Sequence, residues 1–202
     1  MGICPYMFEK ILLATALLSP LSAFALSTMS IIIEQVGDDV TITADGSVDV
    51  ESLEISDATM GQMNAFMAIS SSNAIAFSTE ELSMYPFATI FPSMGTGSMA
   101  QSTIVSGDGF IFGSTTESEG GEVNGTVIGV PLDYVSGEEL SASATLENTT
   151  LASLGYVLGT YTFDYGSGEH TGSVVFNVVP EPSTWALLAG LGALGLAFWR
   201  RR

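Results

Sequence analysis

The sequence predicts an all-β domain, an antiparallel β-sandwich of the jelly-roll-like or Ig-like kind with one short helix, followed by a C-terminal transmembrane helix. Three observations predict this. Short apolar runs alternate with polar residues, turn residues separate these runs at short intervals, and one uncharged apolar stretch lies close to the C-terminus. Of the 202 residues, 47% are hydrophobic, which is enough to form a core and argues against a disordered chain.

The first strands follow from alternation near the start of the domain. Residues 31–36 begin with three isoleucines and predict a first strand, and residues 39–43 and 47–51 alternate between polar and apolar side chains. The Asp-Gly pair within residues 44–46 predicts a tight turn, because this pair tolerates positive φ. Together these segments predict a hairpin with one acidic face in water.

Residues 57–69 break the alternation and predict the short helix. Met60, Met63 and Met67 are spaced by three and four residues, which is helical spacing. We expect this methionine stripe to pack into the core, and the alternative is a binding groove that accepts varied partners.

Further strands are predicted at residues 110–112, at 123–130, where Pro131 ends the strand, and at 141–147. The last third predicts a hairpin from residues 159–166 and 173–179. Its first strand carries three aromatic side chains on one face: Tyr161, Phe163 and Tyr165. We expect these rings in the core, and the alternative is an exposed platform that stacks on sugar rings.

The charge distribution excludes one class of partner. The chain has 22 acidic residues, and its four basic residues all lie near a terminus: Lys10, Arg200, Arg201 and Arg202. Because four basic side chains cannot neutralise a phosphate backbone, we expect no nucleic-acid partner. Residues 26–179 contain 20 of the 22 acidic residues. They also contain the one histidine of the sequence, His170. This acidity favours either solubility in a salty or extracellular medium or the binding of divalent cations.

No cofactor is expected, although calcium remains open because it prefers clustered loop oxygens. The candidate calcium ligands are Asp45, Asp49, Glu117, Glu119 and Glu122. One histidine cannot complete a zinc site. The chain lacks a nucleophile-elbow motif and His170 lies in a polar turn, so we expect no enzyme. The adjacent carboxylate pairs leave glycoside hydrolysis as the minor alternative.

The N-terminus predicts a secretory signal peptide over residues 1–25. Lys10 precedes the apolar residues 11–18, and Ala23 and Ala25 occupy the small-residue positions before a cleavage site. The mature chain would then begin at Leu26. Export through the Sec translocon and removal of this segment by signal peptidase are therefore expected.

The C-terminus, residues 180–202, combines three features in order. First, an acidic residue between two prolines favours an extended backbone. Second, residues 183–199 are uncharged and would span about 25 Å as a helix. Third, a cluster of basic residues follows, which is typical of the cytoplasmic side of a membrane. The short motif and the basic cluster consist of Pro180, Glu181, Pro182, Arg200, Arg201 and Arg202.

This C-terminal segment resembles the PEP-CTERM sorting signal of Gram-negative bacteria. The resemblance implies that an integral-membrane enzyme, exosortase, recognises the signal, and that the protein is exported by a bacterium that makes extracellular polysaccharide. We therefore expect residues 26–179 to be a non-enzymatic envelope or extracellular-matrix domain, transiently anchored by its helix and structural or adhesive in exopolysaccharide. The alternative is a calcium-dependent carbohydrate-binding module.

Overall fold

The computed structural model describes residues 27–56, 59–89, 91–115 and 125–180. Within these residues the chain forms thirteen strands in two sheets and one turn of 3₁₀ helix, Ser70–Ser72. Strands are numbered in chain order. The six-stranded sheet has the spatial order β12 (Gly159–Ser167), β13 (His170–Val179), β1 (Ser27–Val36), β2 (Asp39–Ser47), β11 (Glu139–Leu146) and β8 (Ile104–Gly107).

The seven-stranded sheet has the spatial order β3 (Thr59–Met60), β6 (Leu82–Phe87), β10 (Gly125–Pro131), β9 (Phe110–Thr115), β5 (Ala74–Ser78), β4 (Ala65–Ile69) and β7 (Met99–Ser102). All neighbouring strands are antiparallel except β1 and β13, which run parallel. The nearly all-β architecture confirms the predicted class and is consistent with a β-sandwich. The jelly-roll-like and Ig-like subtypes remain predictions.

The main core lies between the two sheets. Alternate residues of most strands are buried, since successive side chains point to opposite faces of a sheet and one face of each sheet packs against the other sheet. At its centre Phe91 lies 4.7 Å from Phe163, ring centre to ring centre, and Phe112 and Phe176 lie 5.3 and 5.4 Å from Phe163. Such aromatic clusters add stability beyond the area that they bury. Phe163 and Tyr165 are 2% and 4% exposed, and Tyr161 is partly buried and packs against the same cluster, so this strand's aromatic face belongs to the core.

The predicted turn at residues 44–46 is wrong. β2 continues through Gly46, and the actual turn of the first hairpin is the two-residue Gly37-Asp38 link between Val36 and Asp39. Gly46 serves a different purpose, because a Cβ atom there would collide with the carbonyl oxygen of Thr28. The glycine permits a close approach between strands rather than a reversal of the chain.

The predicted helix over residues 57–69 is also wrong for the part that the structure describes. Met60 lies in β3, Met67 lies in β4, and Met63 is exposed between them. Helical spacing arose by coincidence, since two short strands of the same sheet contribute the methionines. Residues 57 and 58 lie outside the described residues.

Met60 and Met67 pack on a second, smaller cluster, together with Met84. It occupies the outer face of the seven-stranded sheet, on the side opposite to the main core. The strands give this outer face no charged side chain. We call it the methionine face, and its main members are Met60, Met67, Ala76, Leu82, Met84, Met99, Ile111 and Val127.

Candidate functional site

The outer face of the six-stranded sheet carries rows of hydroxyl groups. In β1, β2 and β11 the residues between the buried ones are largely serine or threonine. The sequence analysis missed this surface, although the period-two recurrence of serine and threonine in these strands was the signal that could have revealed it. We call it the hydroxyl face, and it comprises Thr28, Ser30, Thr41, Thr43, Ser106, Ser141, Ser143, Thr145, Thr160 and Thr162.

Strand register aligns these side chains into rows across the sheet. One row crosses all six strands through Thr160, Asn177, Ile32, Thr43, Ser143 and Ser106. Neighbours in a row are about 4.8 Å apart along the hydrogen-bonding direction. Within this row the hydroxyls of Ser106 and Ser143 hydrogen-bond each other at 2.9 Å, and Thr160 donates to Oδ1 of Asn177 at 2.8 Å. The face is therefore a regular array of donors and acceptors.

Carboxylates are interspersed with the hydroxyls. Glu34, Asp45, Glu139 and Asp164 lie on this face, and Ser141 donates a hydrogen bond to Asp45 at 2.7 Å. In the described part of the chain His170 is the only basic side chain. The potential over the hydroxyl face is consequently negative, which disfavours anionic partners and favours neutral or amine-bearing ones.

A second polar cluster surrounds Asp49, in the segment that follows β2. One carboxylate oxygen accepts hydrogen bonds from Ser136 Oγ at 2.9 Å and from the Glu51 N–H at 3.0 Å. The other lies 3.2 Å from Nδ1 of His170, which is also 3.4 Å from Glu51. Burial raises the pKa of Asp49, but the hydrogen bonds from Glu51, Ser136 and His170 outweigh it and leave that pKa below its ordinary value.

These residues include a serine, a histidine and an aspartate, but their order differs from that of a catalytic triad. Ser136 and His170 contact the two oxygens of the same carboxylate, so Asp49 lies between them, whereas a triad requires the hydroxyl to donate to the histidine. Ser52 Oγ also donates to the His170 carbonyl at 2.8 Å. The cluster therefore fastens the segment after β2 to the start of β13. That the protein is not an enzyme remains a prediction.

The candidate calcium ligands are only partly described. Asp45 and Asp49 belong to different contacts, one with Ser141 and the other with Ser136 and His170. Within the described ranges, no group of three or more His, Cys, Asp or Glu side chains is arranged to hold a metal ion. The remaining candidates, Glu117, Glu119 and Glu122, lie outside the described residues.

The C-terminal segment leaves the domain from an interior strand. β13 is paired on both sides, with β12 and with β1, and it ends at Val179. The next residue, Pro180, lines an open pocket of about 340 Å³ together with Gln35, Leu151, Tyr156 and Leu158. Pro180 therefore follows directly after a strand that is hydrogen-bonded on both sides, with no residue between them.

Several predicted features lie beyond the described residues: the signal peptide with Ala23, Ala25 and Leu26, the helix at 183–199, and the rest of the sorting motif, Glu181, Pro182, Arg200, Arg201 and Arg202. Among the residues that are described, no helix has the length and apolar character needed to cross a membrane.

Comparison with protein families gives one match. The model of the PEP-CTERM protein-sorting motif matches residues 178–202, which confirms the resemblance inferred from the C-terminal residues. Neither curated proteins nor solved structures give a match. The motif supports an exported protein that is sorted by an exosortase and processed at the membrane on its way to the cell envelope. The chain thus carries a PEP-CTERM protein-sorting motif, and the matched range begins with the last two residues of β13, Val178 and Val179.

Proposed function

We propose that the domain of residues 26–179 is a non-enzymatic protein of the cell envelope or extracellular matrix, with a structural or adhesive role in exopolysaccharide. The observation that carries this proposal is the hydroxyl face. A polysaccharide presents many hydroxyl groups, and a sheet surface with regular rows of serine and threonine can exchange hydrogen bonds with many of them at once. Each such bond contributes little, so binding would depend on repetition along the glycan.

The negative charge of the hydroxyl face limits which classes of glycan can bind to it. With carboxylates among the hydroxyls and no lysine or arginine in residues 26–179, an anionic polysaccharide would be repelled. A neutral glycan, or one with free amines, fits the face better. Sugar stacking is not part of this proposal, because Phe163 and Tyr165 are buried in the main core.

Cosedimentation with the insoluble exopolysaccharide of the host tests the proposal. The variant Thr41→Val/Thr43→Val/Thr145→Val removes three hydroxyls from neighbouring strands and keeps their β-branched shape. We expect its dissociation constant to rise at least about tenfold, since three hydrogen bonds of about 0.5–1.5 kcal/mol each are lost. The matched control Thr59→Val/Thr96→Val changes exposed threonines outside the six-stranded sheet and should bind like the parent.

Equal binding by all three proteins would contradict the role of the hydroxyl face. The same assay also separates the alternative of a calcium-dependent carbohydrate-binding module. Binding that requires added calcium and is lost on chelation, at constant ionic strength, would favour the alternative. Binding that is indifferent to calcium would favour the proposal.

We also propose a route of delivery to the cell envelope. The domain passes the Sec translocon, loses residues 1–25 to signal peptidase and is held by the helix at 183–199 until exosortase acts near Pro180, Glu181 and Pro182. Intact-mass measurement of the surface protein should give a chain that begins at Leu26 and lacks the basic cluster. In Pro180→Ala/Pro182→Ala we expect the uncleaved chain to remain in the inner membrane, and normal release of that variant would contradict the route.

A further inference from the structure

Four strands lie at the edges of the two sheets, and one of them is much longer than the rest. β3 has two residues, and β7 and β8 have four each, whereas β12 has nine. Short edge strands are one way in which proteins prevent unwanted pairing with other chains. In the described part of the molecule β12 pairs with β13 alone, so this protection is missing at one edge.

The turn of the last hairpin determines which backbone groups of β12 are paired. Gly168 and Glu169 form a two-residue turn between Ser167 and His170, and Gly168 has a φ of +66°, as the first central residue of a type II′ turn requires. The residues that flank such a turn exchange hydrogen bonds with each other.

Hydrogen bonding in an antiparallel ladder then alternates along the strand. Counting back from Ser167, Phe163 bonds to β13, while Thr160, Thr162 and Asp164 direct their N–H and C=O groups to the open edge. The other usual protections are also absent from β12, which contains no lysine and no proline and has a single charged residue, Asp164.

We propose that this edge pairs with the same edge of a second copy of the chain, antiparallel and centred on Phe163. In this register all nine residues of β12 are used. Asp164 lies opposite Thr162 of the second copy, so the two carboxylates are not directly opposed. A register centred on Asp164 would place like charges opposite each other, which is unfavourable. The pairing joins the two hydroxyl faces into one continuous surface.

The charge of the chain makes this association sensitive to salt in a direction that can be tested. Each copy has a formal net charge of −18, so long-range repulsion opposes pairing. Salt screens the repulsion but leaves backbone hydrogen bonds intact. Raising the ionic strength therefore strengthens the dimer, whereas an interface built on salt bridges would weaken.

Sedimentation velocity of the full chain in detergent, over a range of concentrations, tests the proposal. We expect a monomer–dimer equilibrium that shifts toward dimer between about 0.02 and 0.5 M NaCl. Thr162→Pro removes an N–H at the open edge without removing a bond to β13, and should weaken the dimer at least about tenfold. Thr162→Val keeps that N–H and should match the parent.

A second pair of variants tests the proposal without depending on whether Thr162→Pro folds. Thr162→Asp places a carboxylate opposite Asp164 of the second copy and should also weaken the dimer, whereas Ser106→Asp adds the same charge at the short edge strand β8 and should not. In the parent, the amides of Thr160, Thr162 and Asp164 should exchange more slowly with deuterium as the concentration rises. A chain that stays monomeric throughout, or a dimer insensitive to both Thr162→Pro and Thr162→Asp, overturns the proposal.

Discussion

The hydroxyl face and the methionine face are built on the same backbone geometry and end in opposite environments. Both are outer faces of a sheet, with alternate residues directed away from the main core. On the six-stranded sheet these residues are mostly hydroxyls and carboxylates in contact with water. On the seven-stranded sheet they are mostly apolar, and Leu82 and Ile111 are 0% and 7% exposed. Period-two alternation thus identifies a strand without telling which of its faces is wet.

The largest expected difference comes from introducing an asparagine on each of the two faces. Ile111→Asn puts an amide without hydrogen-bond partners into the cluster of the methionine face, and should lower the free energy of unfolding by about 3 kcal/mol. Thr43→Asn puts the same amide on the hydroxyl face, where water can solvate it, and should cost less than about 1 kcal/mol. Urea denaturation of both variants measures the difference, and equal losses would show that the two faces are equally wet.

A smaller loss of stability is expected from a substitution at Gly113, in the strand β9 beneath the methionine face. A Cβ atom at Gly113 would lie 2.8 Å from both Cα and Cβ of Ala74, so Gly113→Ala forces two strands apart and should cost about 1–3 kcal/mol. Gly61→Ala is the control, since a Cβ atom there has nothing within 4 Å. Thermal melting should separate the two variants, and a Gly113→Ala protein as stable as the parent would contradict the close strand approach.

The pH response should come from the six-stranded sheet and its adjoining segments. The pKa of Asp49 is lowered in the folded protein, so the ionised carboxylate contributes stability above its unfolded pKa of about 3.8. That contribution is lost as the pH falls through the lower folded value. Asp49→Asn should therefore cost about 1 kcal/mol at pH 7, and its difference from the parent should shrink below about pH 4.

The matched control for this prediction is Asp133→Asn, at an exposed position between β10 and β11. It should change the stability by less than about 0.5 kcal/mol at either pH. Urea denaturation of the parent and both variants at pH 7 and at pH 3 gives the change in the free energy of unfolding for each variant at each pH. A constant difference between Asp49→Asn and the parent at both pH values would show that the carboxylate is not stabilised by its hydrogen bonds.

The smallest effects are expected at two buried tyrosines. The Tyr165 hydroxyl accepts a hydrogen bond from the Asp49 N–H at 3.1 Å, so Tyr165→Phe should lower the stability by about 1 kcal/mol. The Tyr156 hydroxyl, close to Pro180, is buried and has no hydrogen-bond partner among the described residues, and burial raises the pKa of Tyr156. Tyr156→Phe should therefore leave the stability unchanged or raise it by up to about 1 kcal/mol.

Melting curves compare these two tyrosine variants directly. Opposite signs of the change, or a loss confined to Tyr165→Phe, agree with the hydrogen bonds described. A loss of similar size in Tyr156→Phe would mean that its hydroxyl has a partner after all.

Predictions from the sequence succeeded where one local pattern determined the result. The strict alternation in residues 159–166 and 173–179 predicted β12 and β13 and the buried ring of Phe163. The candidate site was largely missed, because the rows of the hydroxyl face exist only when β1, β2 and β11 are neighbours in register. Serine and threonine in a single strand carry no sign of such an array.

The errors have the same cause. Gly46 was interpreted through the local conformation of an Asp-Gly pair, but its role is a close approach to Thr28, far from it along the chain. Met60 and Met67 were interpreted through their spacing along a helix, but they meet on the methionine face because β3 and β4 belong to one sheet. His170 was interpreted as a loop residue, and its contact with Asp49 depends on the position of β13.

The sequence by itself determined the β class, the acidic character of residues 26–179 and the sorting motif at the C-terminus, because each of these is a property of consecutive residues or of composition. Only the tertiary structure decided which faces are wet, which hydroxyls form rows and which edge strand is long. Those properties depend on strand order and register. The hydrophobic effect fixes both through contacts between residues that are distant in the chain.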